Sequence, residues 1–533
     1  MIKHILPLLL LGLSFSALAQ APLTRSSGVD EAATLAKTIT ADELMRHLSI
    51  LASDEYEGRE TGEPGQKLAA EYIAGYFKNL GLPAIGENGG YFQSIAFISD
   101  KWETIELRVG DQELTHLREF YSLPGNNTAQ EKVAIDEVVF LGYGIADAAY
   151  DDYADEAVSG KTIMILSGEP RDKDGNYLVS GTSEASSWAT DINEKLRVAK
   201  AKGVANVIVI DPDFKQNVAD VRRKLLNNRL RMDDASVQPG SLANSIFVTP
   251  QVARQLAGSD YKKMVKARKK IEKSGKPRSA TIDTDITLTQ QPKVRRLLGE
   301  NVLGFVEGTD PVLKDEIVVV TAHYDHIGRR GEEIFNGADD NGSGTSTVLE
   351  VAQAFTLAKQ GGLGPRRSVL LMLVSGEEKG LLGSQYYVEH PIFPLENTVV
   401  DINVDMVGRV DEKHASNPDY IYVIGSNRLS TELHEINEEA NRKYTNLELD
   451  YTYNAEDDPN RYYYRSDHYN FAERGIPAVF YFNGTHEDYH RASDTVDKIN
   501  FAKMEKIGRL VFHTAWELAN RDERIKVDVV EKP

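Results

Sequence analysis

Hydrophobic positions fall into three regimes along this chain. After Thr40, the text ADELMRHLSILASDEYEGRETGEPGQKLAAEYIAGYFKNLGL carries apolar residues at helical spacing on both sides of a Gly-rich turn. That spacing predicts two helices, the second stopping at Gly81. From about Val133 to Gln290 the pattern shifts to short β-rich runs, VAIDEVVFLGYGI, GKTIMILSGEP and ANVIVIDP, with one helix over 193–202. From about Val294, apolar strands alternate with helical stretches: EIVVVTAHYDH, a helix over 343–359, SVLLMLVSGEE, a helix after Gly380, TVVDINVDMVG, a helix over 430–444, IPAVFYFN, and a last helix over 501–520. Strands that are apolar throughout are buried on both faces. The third regime therefore predicts an α/β fold with a mostly parallel, mixed central sheet covered by helices on both faces. In such sheets ligands bind at the carboxyl ends of the strands, so chemistry is to be sought just after each apolar run. There is no internal repeat and no low-complexity tract.

The chain start changes this picture in one respect. MIKHILPLLLLGLSFSALAQAP has a Lys at position 3, an apolar run from Ile5 to about Leu13 and the small-x-small step Ala17-Leu18-Ala19, the pattern of a secretory signal peptide. The expected division is a signal peptide over 1–19, the N-terminal part of one domain over 20–125, a β-rich insert over 126–292 and the remainder of the first domain over 293–533. An exported protein, periplasmic or extracellular, is the consequence. No later run is apolar enough to span a bilayer.

Composition narrows the chemistry. The chain has 533 residues and no cysteine, which removes disulfides, thiolate nucleophiles and Cys-ligated metals, so any metal must be held by nitrogen and oxygen. A formal charge of -20 repels nucleic acid and anionic surfaces. The basic run from Lys262 to Lys276 reads as a solvated helix face.

Potential metal ligands or proton carriers stand at the end of each third-regime strand or at the opening of the next helix: His323 and Asp325, Asp339 and Asp340, Glu377 and Glu378, Asp405, and His490. His323 and Asp325 are two apart and share a face, so Asp325 is expected to accept the second ring N–H of His323. His326 points the other way and reads as a surface or packed histidine. In GADDNGSG two adjacent aspartates repel unless a cation lies beside them, and bridging two ions is the sharper use of Asp339. The pair Glu377-Glu378 lets one residue bind metal while the other accepts a proton. Asp405 sits inside an apolar run, where an ionised carboxylate is costly unless paired. His490 has Asp494 four residues on as a candidate partner for its second nitrogen, and His486 competes with it.

The segments HYDH, GADDNGSG, SGEEKGLLGS, NVDMVGR, RSDHYNFAERGIPA and YHRASDT, in this order, resemble zinc-dependent aminopeptidases related to bacterial leucyl aminopeptidase and glutamate carboxypeptidase. The middle region, with GYGI, GKTIMILSGEP and KLRVAKAKGVANVIVI, resembles the protease-associated domain that such enzymes carry as an insert. The resemblance implies a zinc exopeptidase fold and two zinc ions per chain. In that assignment Asp339 bridges the ions, Glu378 and His490 complete one site, His323 and Asp405 the other, and Glu377 is the general base. It also implies a cis bond between Asp339 and Asp340, and peptide or protein N-termini as substrate. A carboxypeptidase of the same fold would need arginines near the metals, for which Arg409, Arg461 and Arg465 are available. A one-zinc glutaminyl cyclase or a non-catalytic receptor would lack part of the ligand set, and this chain retains all of it.

Overall fold

The computed structural model describes residues 30–226, 229–233 and 240–529, and the expected signal peptide lies outside them. The described residues divide into two compact units, one made of those up to Ser94 and from Glu300 onward, the other of those within Ile95–Gly299. Among the described residues no helix is long and apolar enough to cross a membrane.

After a short helix over Glu31–Ala36, the first unit continues with two longer helices. Helix α1 (Ala41–Leu51) is capped by the Thr40 hydroxyl, which accepts the Glu43 N–H. Helix α2 (Pro64–Leu80) has Pro in its first turn and ends at Gly81, whose φ of 79° closes the helix in the left-handed region. The end of the long strand β1 (Ala280–Val306) leads into β2 (Ile317–His323), α3 (Gly344–Gln360), β3 (Ser368–Val374), α4 (Leu382–Glu389), β4 (Thr398–Val404) and β5 (Tyr420–Ile424). Then come α5 (Thr431–Ala440), β6 (Glu448–Asp450), β7 (Ala478–Phe482) and α6 (Phe501–Asn520).

The strand order is β6-β5-β7-β4-β2-β3-β1. Pairing is parallel except for β5 with β7 and β3 with β1, which are antiparallel. This is the expected mostly parallel, mixed α/β sheet. Alternate residues of β2 serve opposite layers: Val318, Val320 and Ala322 pack with residues of α1, α2, α3 and α6, while Ile317 and Val319 pack with Leu370, Met372, Tyr387 and Phe471. The strands β5 and β6 were not foreseen, since each is five residues or fewer and lies outside a long apolar run.

In the second unit Gln130–Phe140, Thr162–Leu166, Asn206–Ile210 and Asn244–Val248 lie side by side, each parallel to the next. It begins at Ile95 rather than at the expected residue 126, and ends at Gly299 rather than 292. The reason is long-range pairing. Residues 97–100 pair with 229–232, and 120–121 with 247–248, which draws 95–125 into this unit although nothing in their local pattern says so. The basic run forms the helix Tyr261–Ser274, buried at Met264, Ala267 and Ile271 with its lysines facing outward.

Candidate metal centre

Each group in the centre stands at the carboxyl end of a strand or in a loop leaving one. His323 is the last residue of β2, and Asp405 directly follows β4. Glu377 and Glu378 lie in the loop after β3, and His490 is in the loop beyond β7 with φ 57°. His323 Nε2 is 3.3 Å from Asp405 Oδ1, 3.4 Å from Asp340 Oδ1 and 3.9 Å from Glu377 Oε2. His490 Nε2 is 3.0 Å from Asp340 Oδ2 and 3.4 Å from Glu378 Oε2. Thus Asp340, not Asp339, turns its carboxylate into the centre, one oxygen towards His323 and the other towards His490.

The backbone accounts for that choice. The N–H groups of Asp339 and Asp340 both donate to the Asp494 carboxylate, at 3.0 and 3.1 Å. The Asp339 side chain accepts the Gly408 N–H at 2.7 Å and the Asn483 amide at 3.1 Å, and lies 3.2 Å from His486 Nε2. The cis peptide bond joins Asp340 to Asn341, one residue later than expected. Asn341 ties the turn to the end of β4, accepting the Met406 N–H and donating to the Val404 carbonyl. Asp494 is therefore an anchor of this loop and not the partner of His490 expected from their spacing.

Two further groups depart from the sequence reading. His326 is fully buried and its Nδ1 is 2.8 Å from Glu378 Oε1, so it belongs to the centre. Arg59, 1% exposed, was not singled out at all. Its guanidinium donates to the carbonyls of Tyr324, Leu51, Asn336 and Gly337, joining the loop after β2 to the turn that carries Asp340. Nothing local in EGRETG signals that role. Asp325 stands beside His323 but not quite as expected: His323 Nδ1 meets its backbone carbonyl at 3.1 Å, while its carboxylate, 3.7 Å away, accepts the Thr61 hydroxyl at 2.7 Å and the Glu377 N–H at 3.2 Å. Asp405 accepts the Ser466 hydroxyl at 2.6 Å.

Four carboxylates, Asp340, Glu377, Glu378 and Asp405, share this volume with three histidines, and the electrostatics reflect it. Burial pushes the Glu377 carboxyl well above its ordinary range, with Glu378 and Asp405 adding to the shift against the pull of His323. Burial opposes charge on Asp340, yet His326, His323 and His490 hold it well below the usual carboxylate range. His490 is pushed up to about 10 because Asp340 and Glu378 outweigh its burial.

The donor set fits metal. Donor atoms of His323, Glu377 and Asp405 lie within 4.8 Å of one another, as do those of His326, Asp340 and Glu378. His326 Nδ1 and Glu378 Oε1 face each other at 2.8 Å without a well-formed hydrogen bond, and His326 Nε2 is buried without a partner, an arrangement that a cation would satisfy. All donors are nitrogen and oxygen, which suits zinc.

Beside these groups a small cavity of about 40 Å³ is lined by Met406, Tyr462, Phe480 and Phe482, with Arg465 and Tyr489 also on its wall. Of the three arginines raised as carboxylate readers, Arg409 is held by Asp488 at 2.9 Å and Arg461 lies over the Tyr464 ring, which leaves Arg465 alone on the cavity.

Residues 301–515 match the model of peptidase family M28. That segment contains all four carboxylates and three histidines of the centre. Over 234 residues the chain is 29% identical to aminopeptidase YwaD of Bacillus subtilis, covering 43% of this chain and 46% of that protein. It is 30% identical over 237 residues to a probable leucine aminopeptidase of Arthroderma otae, covering 43% of this chain and 58% of the relative. The chain thus spans about half the length of these curated relatives. Other relatives include a probable zinc metalloprotease of Pyrenophora tritici-repentis, 28% identical over 266 residues, 41% of this chain and 51% of that protein. Among solved structures, an aminopeptidase from Aneurinibacillus sp. strain AM-1 aligns with 94% of this chain and 99% of its own, at TM-score 0.48 and 19% identity.

Proposed function

We propose that this protein is an exported aminopeptidase that works with two zinc ions and removes N-terminal residues from peptides. The observation that carries the reading is Asp340, whose two oxygens face different ligand sets, His323 with Asp405 on one side and His490 with Glu378 on the other. When bound, the zinc pair supplies Lewis acidity that polarises the scissile carbonyl and acidifies water. His323 and Asp405 would hold one ion, Glu378 and His490 the other, and Asp340 both. Glu377 is left to move protons. Its raised affinity for a proton suits a group that takes one from the attacking water and delivers it to the leaving amine. Asp325 acts on both partners, its backbone carbonyl meeting the second nitrogen of His323 and its carboxylate fixing the backbone of Glu377.

A carboxypeptidase needs a convergent anion site, and Arg465 alone is a poor one, which favours the aminopeptidase. The second unit we read as a protease-associated insert.

The test is hydrolysis of a panel of aminoacyl-nitroanilides and N-blocked peptides by the mature protein, before and after chelation and zinc restoration. Cleavage of free-amine substrates only, lost on chelation and restored by zinc, is expected. Cleavage confined to N-blocked peptides with a free C-terminus would overturn the aminopeptidase reading.

A further inference from the structure

A second group of donors lies away from the centre, between α1 and α3. His47 and Glu350 are both 0% exposed, and His47 Nε2 stands 3.3 Å from Glu350 Oε1. His47 Nδ1 is 2.7 Å from the Tyr72 hydroxyl on α2, so the ring is oriented from behind and its other nitrogen is aimed at Glu350. Glu43 is one helical turn before His47 on the same face, and the donor atoms of Glu43, His47 and Glu350 lie within 4.8 Å of one another.

Three atoms in this cluster, His47 Nε2 and both carboxylate oxygens of Glu350, are buried without a hydrogen-bond partner. Leaving such groups unsatisfied is costly, and structures that retain them supply a partner. Arg46 does not supply one. It bonds Oε2 of Glu43, at the edge of the cluster, and leaves Oε1 free to turn inward.

We propose that Glu43, His47 and Glu350 form a further zinc site, structural in role, that clamps α1 to α3. The 3.3 Å between His47 Nε2 and Glu350 Oε1 matches the edge of a tetrahedron whose metal–ligand bonds are about 2.0–2.1 Å. Two carboxylates and a neutral imidazole balance one divalent cation, so the filled site adds no net charge to the interior. The Tyr72 hydroxyl behind Nδ1 is the outer partner that a ligating histidine requires. The consequence is local: Leu48 of α1 packs under Gly342 in the turn that carries Asp340, so the clamp steadies the back of that turn.

The site is tested by zinc content and zinc release in the full chain. The wild-type protein, Glu43→Gln and His47→Gln are loaded with zinc, dialysed, and titrated with a competing chelator while bound zinc is measured. Glu43 is partly exposed, so its variant folds, which circular dichroism verifies. The expected result is one zinc fewer per chain in His47→Gln than in the wild type. In Glu43→Gln one equivalent should leave at a chelator concentration at least ten-fold lower. Equal zinc content and superimposable release curves for the wild type and Glu43→Gln would overturn the proposal. The readout is a difference of one equivalent, so it stands whether or not the catalytic centre holds two ions.

Discussion

Asparagine substitutions at the two neighbouring aspartates separate the structural account from the reading by spacing alone. Asp340 faces His323 at 3.4 Å and His490 at 3.0 Å, so Asp340→Asn removes the one carboxylate common to both ligand sets. Loss of an outer partner typically costs 10–100-fold in metal affinity, and loss of a shared ligand should exceed that, more than about 2.7 kcal/mol. Asp339→Asn acts elsewhere. Its carboxylate receives the Gly408 N–H and the Asn483 amide and lies 3.2 Å from His486 Nε2, and an amide in its place turns one donor against a donor. One spoiled buried hydrogen bond costs about 1–3 kcal/mol of stability. The assay measures zinc per chain, kcat/KM on an aminoacyl-nitroanilide and the thermal midpoint for both variants. Asp340→Asn should lose zinc and nearly all activity with its fold intact, while Asp339→Asn should keep zinc, unfold at lower temperature and lose less than about ten-fold in activity. Zinc lost from Asp339→Asn but retained by Asp340→Asn would refute the reasoning.

Glu377→Gln should lower kcat by about 10²–10⁴ with zinc content unchanged, measured on the same substrate, since it removes a proton carrier and leaves every proposed ligand in place. Arg59→Met removes the guanidinium that four carbonyls share, and should destabilise the first unit by about 3–5 kcal/mol in a urea titration that follows its tryptophan, Trp516. Asp152, in the second unit, is pushed up to about 6 by burial against the N–H donors of Tyr143 and Ile145. A folded-state value above the unfolded one contributes stability that is complete below about pH 3.8 and is lost as pH rises through 6, about 3 kcal/mol in all. The thermal midpoint of Asp152→Asn should therefore gain on the wild type between pH 4 and 6.5, and parallel profiles would contradict the assignment.

Sequence by itself determined the layered α/β architecture of the first unit and the strand ends at which His323, Glu377, Glu378, Asp405 and His490 gather. Both rest on local regularities. Continuous apolar runs are buried strands, and in a parallel sheet their carboxyl ends lie on one side, so residues remote in sequence are brought together. Tertiary structure alone decided which member of an adjacent pair faces inward. Asp339 and Asp340 are chemically identical, and the choice rests on Asp494, Asn341 and Gly408, whose bonds reach across some 60 to 155 residues to orient the turn. The same holds for the other departures. The second unit begins at Ile95 because residues 97–100 pair with 229–232. His326 enters the centre because Glu378 meets it, and Arg59 matters because four carbonyls from three segments converge on it. His47 and Glu350 lie on helical faces that read as ordinary amphipathic positions, and only the packing of α1 on α3 opposes them at 3.3 Å. Periodicity places a residue on a face of its own element, whereas the partner it meets there is a property of how distant elements pack.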